Sequence, residues 1–281
     1  MRIANVGGRL QLMTTATAGV DVAKVSEGKF GADPSAIYDR WDEFTAWAAG
    51  AEAADAVEFT PEDFQAPIPF PKQTFALGLN FRDHAEETGL AIPDEIQVFT
   101  KWSSSFCGPI AEVALVEGDL IDWEVELVAV IGNGGRDIAE AEAWGHVAGL
   151  TMGQDISARR HQGRGTRQFS LAKSYRNYAP MGPVVVSVDE FANKDDIKLG
   201  SKVNGEVMQD GRTADMIFPV SRAIADLSKI VELYPGDVIF TGTPAGVGQG
   251  RKPMQFLRAG DVLESHIEGI GEMRQVFTAP E

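Results

Sequence analysis

One cysteine, Cys107, is present in 281 residues. No intramolecular disulfide can form, and that usage fits a reducing compartment. Positive charge is scarce: 25 Lys and Arg stand against 41 Asp and Glu, a formal net charge of −16. Nucleic acid is therefore a poor partner for the molecule as a whole. No apolar stretch reaches the roughly 18 residues that a membrane span requires. The opening M-R-I-A-N-V-G-G lacks the apolar core of a signal peptide, and a soluble, cytoplasmic protein is expected. Several catalytic signatures are also missing. Without G-x-S-x-G, a serine-based triad has no support. The Gly/Pro-rich run at 238–248 is not followed by Gly-Lys-Ser/Thr, so it is no phosphate loop. G-N-G-G at 132–135 has the wrong glycine spacing for a dinucleotide fingerprint. Cys107 has no base partner nearby in sequence and reads as a small apolar residue.

What is present describes a folded globular protein, with 44% hydrophobic and 23% charged residues. The length allows a sizeable core, in two domains or one large one with an appendage. Residues 2–6 and 10–13 are expected as paired strands across Gly7-Gly8, and 34–49 as a helix carrying Trp41, Phe44 and Trp47 on one face. Pro61, Pro67, Pro69 and Pro71 mark a boundary, separating a small N-terminal unit, 1–65, from a larger one, 70–281. Short β-like runs then recur at 74–79, 96–100, 123–131, 184–188, 238–241 and 262–267. Three Gly-Asp pairs, at 118–119, 236–237 and 260–261, signal tight turns into strands. Helices are expected at 139–147 and 220–231. Many strands and few helices argue for an α+β, mainly β, fold.

Four constellations carry chemistry. In D-W-E-V-E-L-V-A-V-I-G (122–132), Glu124 and Glu126 fall on one face of a strand. If buried, that pair needs a counter-charge. Oxygen donors without Cys or His favour Mg²⁺, Mn²⁺ or Ca²⁺ over Zn²⁺. The alternative is a solvent-facing edge that Asp122 would share. In N-F-R-D-H-A-E-E-T-G (80–89), a helix of about two turns puts His84 and Glu87 at i and i+3. A carboxylate beside an imidazole orients it as a general base, and so short a helix suits a lid. An ordinary surface helix is the alternative. Third, no acidic residue lies between Asp155 and Asp189, while Arg159, Arg160, Arg164, Arg167, Lys173 and Arg176 do, with His161, Gln162 and Gln168. Such an island suits an anionic small molecule, or else a solvated or salt-bridging loop. Asp155 would add a third metal carboxylate beside it. Fourth, the 238–248 loop lets backbone approach a ligand closely, with Thr243 able to donate a hydroxyl to a carboxylate. His146 in a helix and His266 in a strand read as structural.

In order along the chain, G-L-N-F-x-x-H-A-x-E, W-E-V-E-L, G-x-D-x-S-A-R-x-x-Q, L-A-K-S-Y, N-G-E, L-Y-P-G-D-V-I-F-T-G-T-P-A-G-V-G and I-E-G-I-G cover residues 70–277. This set resembles the fumarylacetoacetate hydrolase family, in its acylpyruvase-like subgroup. The resemblance implies a mixed β-sandwich roll with a small N-terminal α/β appendage, and a homodimer. It implies Mg²⁺ or Mn²⁺ on Glu124, Glu126 and Asp155, with Ca²⁺ an occupant in crystals. His84 and Glu87 would be the acid/base dyad, with Lys173, Arg159 and Gln162 contacting substrate. Phe81 stands where members often have Tyr, which would remove a hydroxyl contact. The implied activity is C–C bond hydrolysis of a 2,4-diketo acid of acylpyruvate, fumarylpyruvate or diketo-deoxy sugar acid type. Oxaloacetate decarboxylation and isomerisation or hydration of an unsaturated 2-oxo acid are alternatives on the same site. A non-catalytic, cation-stabilised domain that binds an anionic metabolite is the alternative of another class.

Overall fold

The structure, a computed structural model, describes residues 1–51, 55–165 and 168–280. Its centre is the strand Val125–Ile131, every residue of which is buried. Val125, Leu127, Ala129 and Ile131 enter one apolar cluster, and Val128 and Val130 enter another on the opposite face. Burial on both faces explains why this strand reads as an unbroken apolar run. It pairs antiparallel with Val147–Gln154 and with Val238–Phe240. The latter runs parallel to Thr74–Gly78, which pairs with Gln97–Phe99. On the other side Val147–Gln154 pairs with Ala179–Val186, and that strand with Arg2–Val6. Arg9–Met13, Ala18–Asp21 and Val57–Glu58 continue this flank, so strands from the first 65 residues are hydrogen-bonded into the large mixed sheet.

A second sheet, Glu206–Arg212, Lys198–Val203, Val262–Ile267, Gly271–Thr278 and Ile110–Ala114, lies across one face. Leu199, Ile267 and Met273 from it meet Leu127 and Leu150 in the same cluster. The helix Val220–Ile230 packs there as well, burying Val220, Ala223, Ile224 and Leu227. That is the 3–4 spacing that made it legible. Strands dominate, as expected for the mainly β class. No helix among the described residues is long and apolar enough to cross a membrane.

Several expected elements differ, among them the strand expected at 184–188, which runs Ala179–Val186. The helix expected at 34–49 is a 3₁₀ segment, Ala36–Arg40, followed by an α-helix, Trp41–Ala48. Tyr38 and Trp41 stack at 5.5 Å, and residues three apart eclipse in a 3₁₀ turn. The helix expected at 139–147 is absent. Glu140, Ala141 and Glu142 are exposed turns, Ala143–His146 is 3₁₀, and Val147 already belongs to a buried strand. Sheet pairing there overrides the helix propensity of A-E-A-E-A-W. His146 thus sits in that turn, with Nδ1 2.7 Å from the carbonyl of Asn133. The strand expected at 123–131 begins at Val125, after a break at Trp123 and Glu124 that matters for the site.

Candidate active site

Ladder pairing lapses between Ile121–Asp122 and Val125–Ile131, and two buried glutamines take over. The Glu124 N–H donates to Gln154 Oε1 at 2.9 Å, and the Val125 N–H to Gln209 Oε1 at 3.1 Å. Asp155 follows the neighbouring strand directly, its N–H donating to the Glu124 carbonyl at 2.9 Å. Glu124, Glu126 and Asp155 consequently converge, with one oxygen from each within 4.8 Å of the others. Their exposures are 6%, 1% and 0%, which removes the solvent-facing reading. Asp122 is buried too, turned toward the 248–249 backbone: Gly248 and Gln249 donate N–H bonds to it at 2.6 and 3.0 Å.

Three cations answer these four carboxylates. Arg159 Nη2 lies 2.7 Å from Asp122 and 2.6 Å from Glu124. Lys173 Nζ lies 2.6 Å from Glu124 Oε2 and also pairs with Asp155 Oδ2. Lys101 Nζ lies 2.6 Å from Asp155 Oδ1 and donates to the Lys173 carbonyl. Burial pushes the Glu124 carboxyl up, but Lys173 and Arg159 outweigh it and hold the group well below the usual carboxylate range. Glu126 goes the other way: burial, then the neighbouring charges of Asp155 and Glu124, push it well above its ordinary value. Its contact with the Gly242 N–H at 2.8 Å opposes this only in part. That imbalance is what a hard divalent cation would correct. The donors are all carboxylate oxygens, the set that Mg²⁺ and Mn²⁺ prefer. The residues therefore fit the ion.

The glycine-rich loop serves this arrangement. Gly242 has φ +89°, and a Cβ there would stand 2.7 Å from the Cβ of Asn80. Only glycine brings that N–H against Glu126 without strain. Asn80 bridges the same region, donating to the carbonyls of Phe218 at 3.0 Å and Thr241 at 2.7 Å.

Arg82–Thr88 is a helix, ended by Gly89 in the left-handed conformation. His84 Nδ1 lies 3.2 Å from Glu87 Oε2. The other Glu87 oxygen accepts the Gly246 N–H at 3.0 Å, and Asp83 Oδ2 accepts that of Ala245 at 3.1 Å. The helix is thus docked on the 242–250 loop. His84 lines a cavity of about 550 Å³ together with Glu124, Glu126, Lys173, Arg159, Gln162 and Thr243.

The remaining expected residues divide. Arg159 Nη1 donates to Gln162 Oε1 at 3.0 Å, which leaves the Gln162 NH₂ as the donor end. Thr243 lines the cavity, but its hydroxyl donates to the Val125 carbonyl at 2.9 Å and accepts from Gln209 at 2.7 Å. Phe81 is fully buried in the core cluster and does not line the cavity. In the cationic island, Arg159 and Lys173 reach the site. Arg160 instead clasps the Gly118 carbonyl at 2.8 Å, and His161 Nδ1 meets the Tyr175 hydroxyl at 2.7 Å. Gln168 caps Phe169–Ala172; Arg164 is exposed, and Arg167 lies outside the described residues. Lys101, Gln154 and Gln209 were not singled out from sequence, and Asp122 was named only as part of a solvent-facing edge. Asp122 alone carried a signal, as the third acid of D-W-E-V-E. Burial pushes the Cys107 thiol up to about 12.

The family model described as the fumarylacetoacetate (FAA) hydrolase C-terminal domain matches residues 73–278. A mitochondrial oxaloacetate tautomerase of Homo sapiens is 43% identical over 210 residues, 74% of this chain and 67% of that one. A 2,4-didehydro-3-deoxy-L-rhamnonate hydrolase of Sphingomonas sp. (strain SKA58) is 42% identical over 237 residues, 83% of each. The crystal structure of a candidate HpcE protein from Mycobacterium smegmatis superposes with a TM-score of 0.95 at 50% identity, covering all of both chains. The ordered motifs, the convergent acids and these likenesses agree: the chain belongs to the fumarylacetoacetate hydrolase family.

Proposed function

We propose that this chain is a metal-dependent hydrolase that cleaves the C3–C4 bond of a 2,4-diketo acid, with a homodimer as its expected assembly. One observation carries the reading: His84, held by Glu87, lines the same cavity as Glu124 and Glu126 of the acidic trio. Bound on Glu124, Glu126 and Asp155, Mg²⁺ or Mn²⁺ would supply Lewis-acid polarisation to the 2-oxo acid end. Glu87 orients His84, whose imidazole takes a proton from water. The resulting hydroxide adds to the C4 carbonyl. Lys173, Arg159 and the Gln162 NH₂ offer positive charge and N–H donors to the oxygen that becomes negative there, usually a large contribution. The C3–C4 bond then breaks, its electron pair passing to C3 as a pyruvate-type enolate. His84 returns the proton to C3, so the products are a carboxylic acid and a 2-oxo acid. The sugar-acid hydrolase relative supports hydrolysis. The tautomerase relative supports a second reading, in which His84 only moves a proton to and from C3 of oxaloacetate.

The test is pyruvate release from acetylpyruvate with Mn²⁺ and after EDTA. Release that needs the ion and falls about 10²- to 10⁴-fold in kcat for His84→Ala, with Mn²⁺ binding kept, is expected. Release that survives EDTA, or a wild-type kcat in the variant, contradicts the mechanism. Enol–keto exchange of oxaloacetate without any C–C cleavage selects the second reading.

A further inference from the structure

We propose that the acyl end of the substrate is uncharged and apolar, an aryl or branched alkyl group, and that Phe99 and Phe169 select it. This rests on the diketo-acid reading and narrows it. The cations of the cavity are tied to its acids: Arg159 and Lys173 both pair with Glu124 at 2.6 Å. The wall changes character beside Lys173: its Nζ lies 5.0 Å from the centroid of the Phe99 ring. Phe169 stands edge-on to that ring, with centroids 5.8 Å apart and planes at 74°. Leu77, Leu79, Leu90 and Val247 continue the lining.

A substrate with a second carboxylate would need another cation. Among the described lining residues the cations are Arg159 and Lys173, which the C4 oxyanion already uses, and His84 faces Glu87. An unpaired carboxylate against aromatic and leucine side chains is costly. A polyhydroxy chain fares little better. The Thr88 hydroxyl donates to the His84 carbonyl at 2.9 Å and the Thr243 hydroxyl to that of Val125 at 2.9 Å. Apart from Gln162, the amides left are Gln97 and Gln249, both exposed. An aromatic or branched alkyl group instead finds an edge-to-face partner and an apolar wall.

The test compares two 2-oxo acids that differ in their tails, 2-oxo-4-phenylbutanoate and 2-oxoglutarate. Their affinities for the full-length Mn²⁺-loaded protein are measured by titration calorimetry. The phenyl compound is expected to bind at least about tenfold more tightly, the discrimination a hydrophobic pocket gives. Phe169→Ala should bring the ratio toward unity. Phe99→Leu, which keeps the wall apolar, should lower it less and serves if the alanine variant does not fold. Equal or tighter binding of 2-oxoglutarate by the wild type, or an unchanged ratio in Phe169→Ala, overturns the inference. If the ratio holds but no diketo acid is cleaved, the selection stands and the hydrolase reading falls. If acetylpyruvate is cleaved while the ratio is inverted, the reverse is true. Absence of binding by either acid overturns both.

Discussion

Lys101 holds one acid of the buried carboxylate cluster without lining the cavity. Its side chain is wholly buried. Burial lowers its pKa, and Asp155 opposes that. By holding Asp155 Oδ1, it leaves Oδ2 to Lys173. Removing one partner of a buried pair strands the other charge. Lys101→Met should therefore cost about 3–5 kcal/mol, read as a lower urea midpoint with an unchanged slope. A loss below about 1 kcal/mol would put the pair on a level with surface ion pairs and refute this role. Nothing in V-F-T-K-W marks Lys101, because its partner is 54 positions away. Glu124 and Glu126 were legible because two acids in an apolar strand conflict with burial unless something positive lies beside them.

At the scale of elements, the helix Arg82–Thr88 is too short to be stable alone. Its hydrogen bonds to the Ala245 and Gly246 N–H groups hold it where His84 meets the cavity. Gly250 keeps that docking open: a Cβ there would come within 2.3 Å of the Glu87 carboxyl carbon. A flexible side chain can yield, so Gly250→Ala should fold while pushing Glu87 off His84. A kcat lowered by about 10²-fold, the usual cost of a misplacement near 1 Å, is expected, with melting temperature nearly unchanged. Equal kcat in both proteins would show that Glu87 does not orient His84. The helix itself was readable from its start and its Gly89 stop. Its docking was not, since the loop it rests on begins some 160 residues later. Val220–Ile230 was readable by its 3–4 periodicity, whereas 139–147 misled, because local propensity is silent about the strand that Ile131 recruits at Val147.

At the scale of the whole molecule, a chain of net charge −16 concentrates buried carboxylates in one place. Binding of Mn²⁺ to the native state alone should stabilise it by about 2.7 kcal/mol at a hundredfold excess over Kd. A melting temperature that rises with Mn²⁺, returns with EDTA and does not respond in Glu126→Gln is expected. A wild-type melt indifferent to Mn²⁺ would contradict the trio as a metal site. By itself the sequence determined the mainly β class and the family, and it singled out the paired acids and the His84/Glu87 pair. Those follow from local pattern: short apolar runs between turn signals, paired acids, His and Glu one helical turn apart, and motifs in fixed order. Only the tertiary structure decided which groups share a cavity. It committed the Thr243 hydroxyl to backbone, sank Phe81 in the core, divided the arginines between site and scaffold, and set aromatic rings beside Lys173. The reason is physical: burial and partnership depend on strands brought together across the sheet, and a distance in space is not written in any one segment.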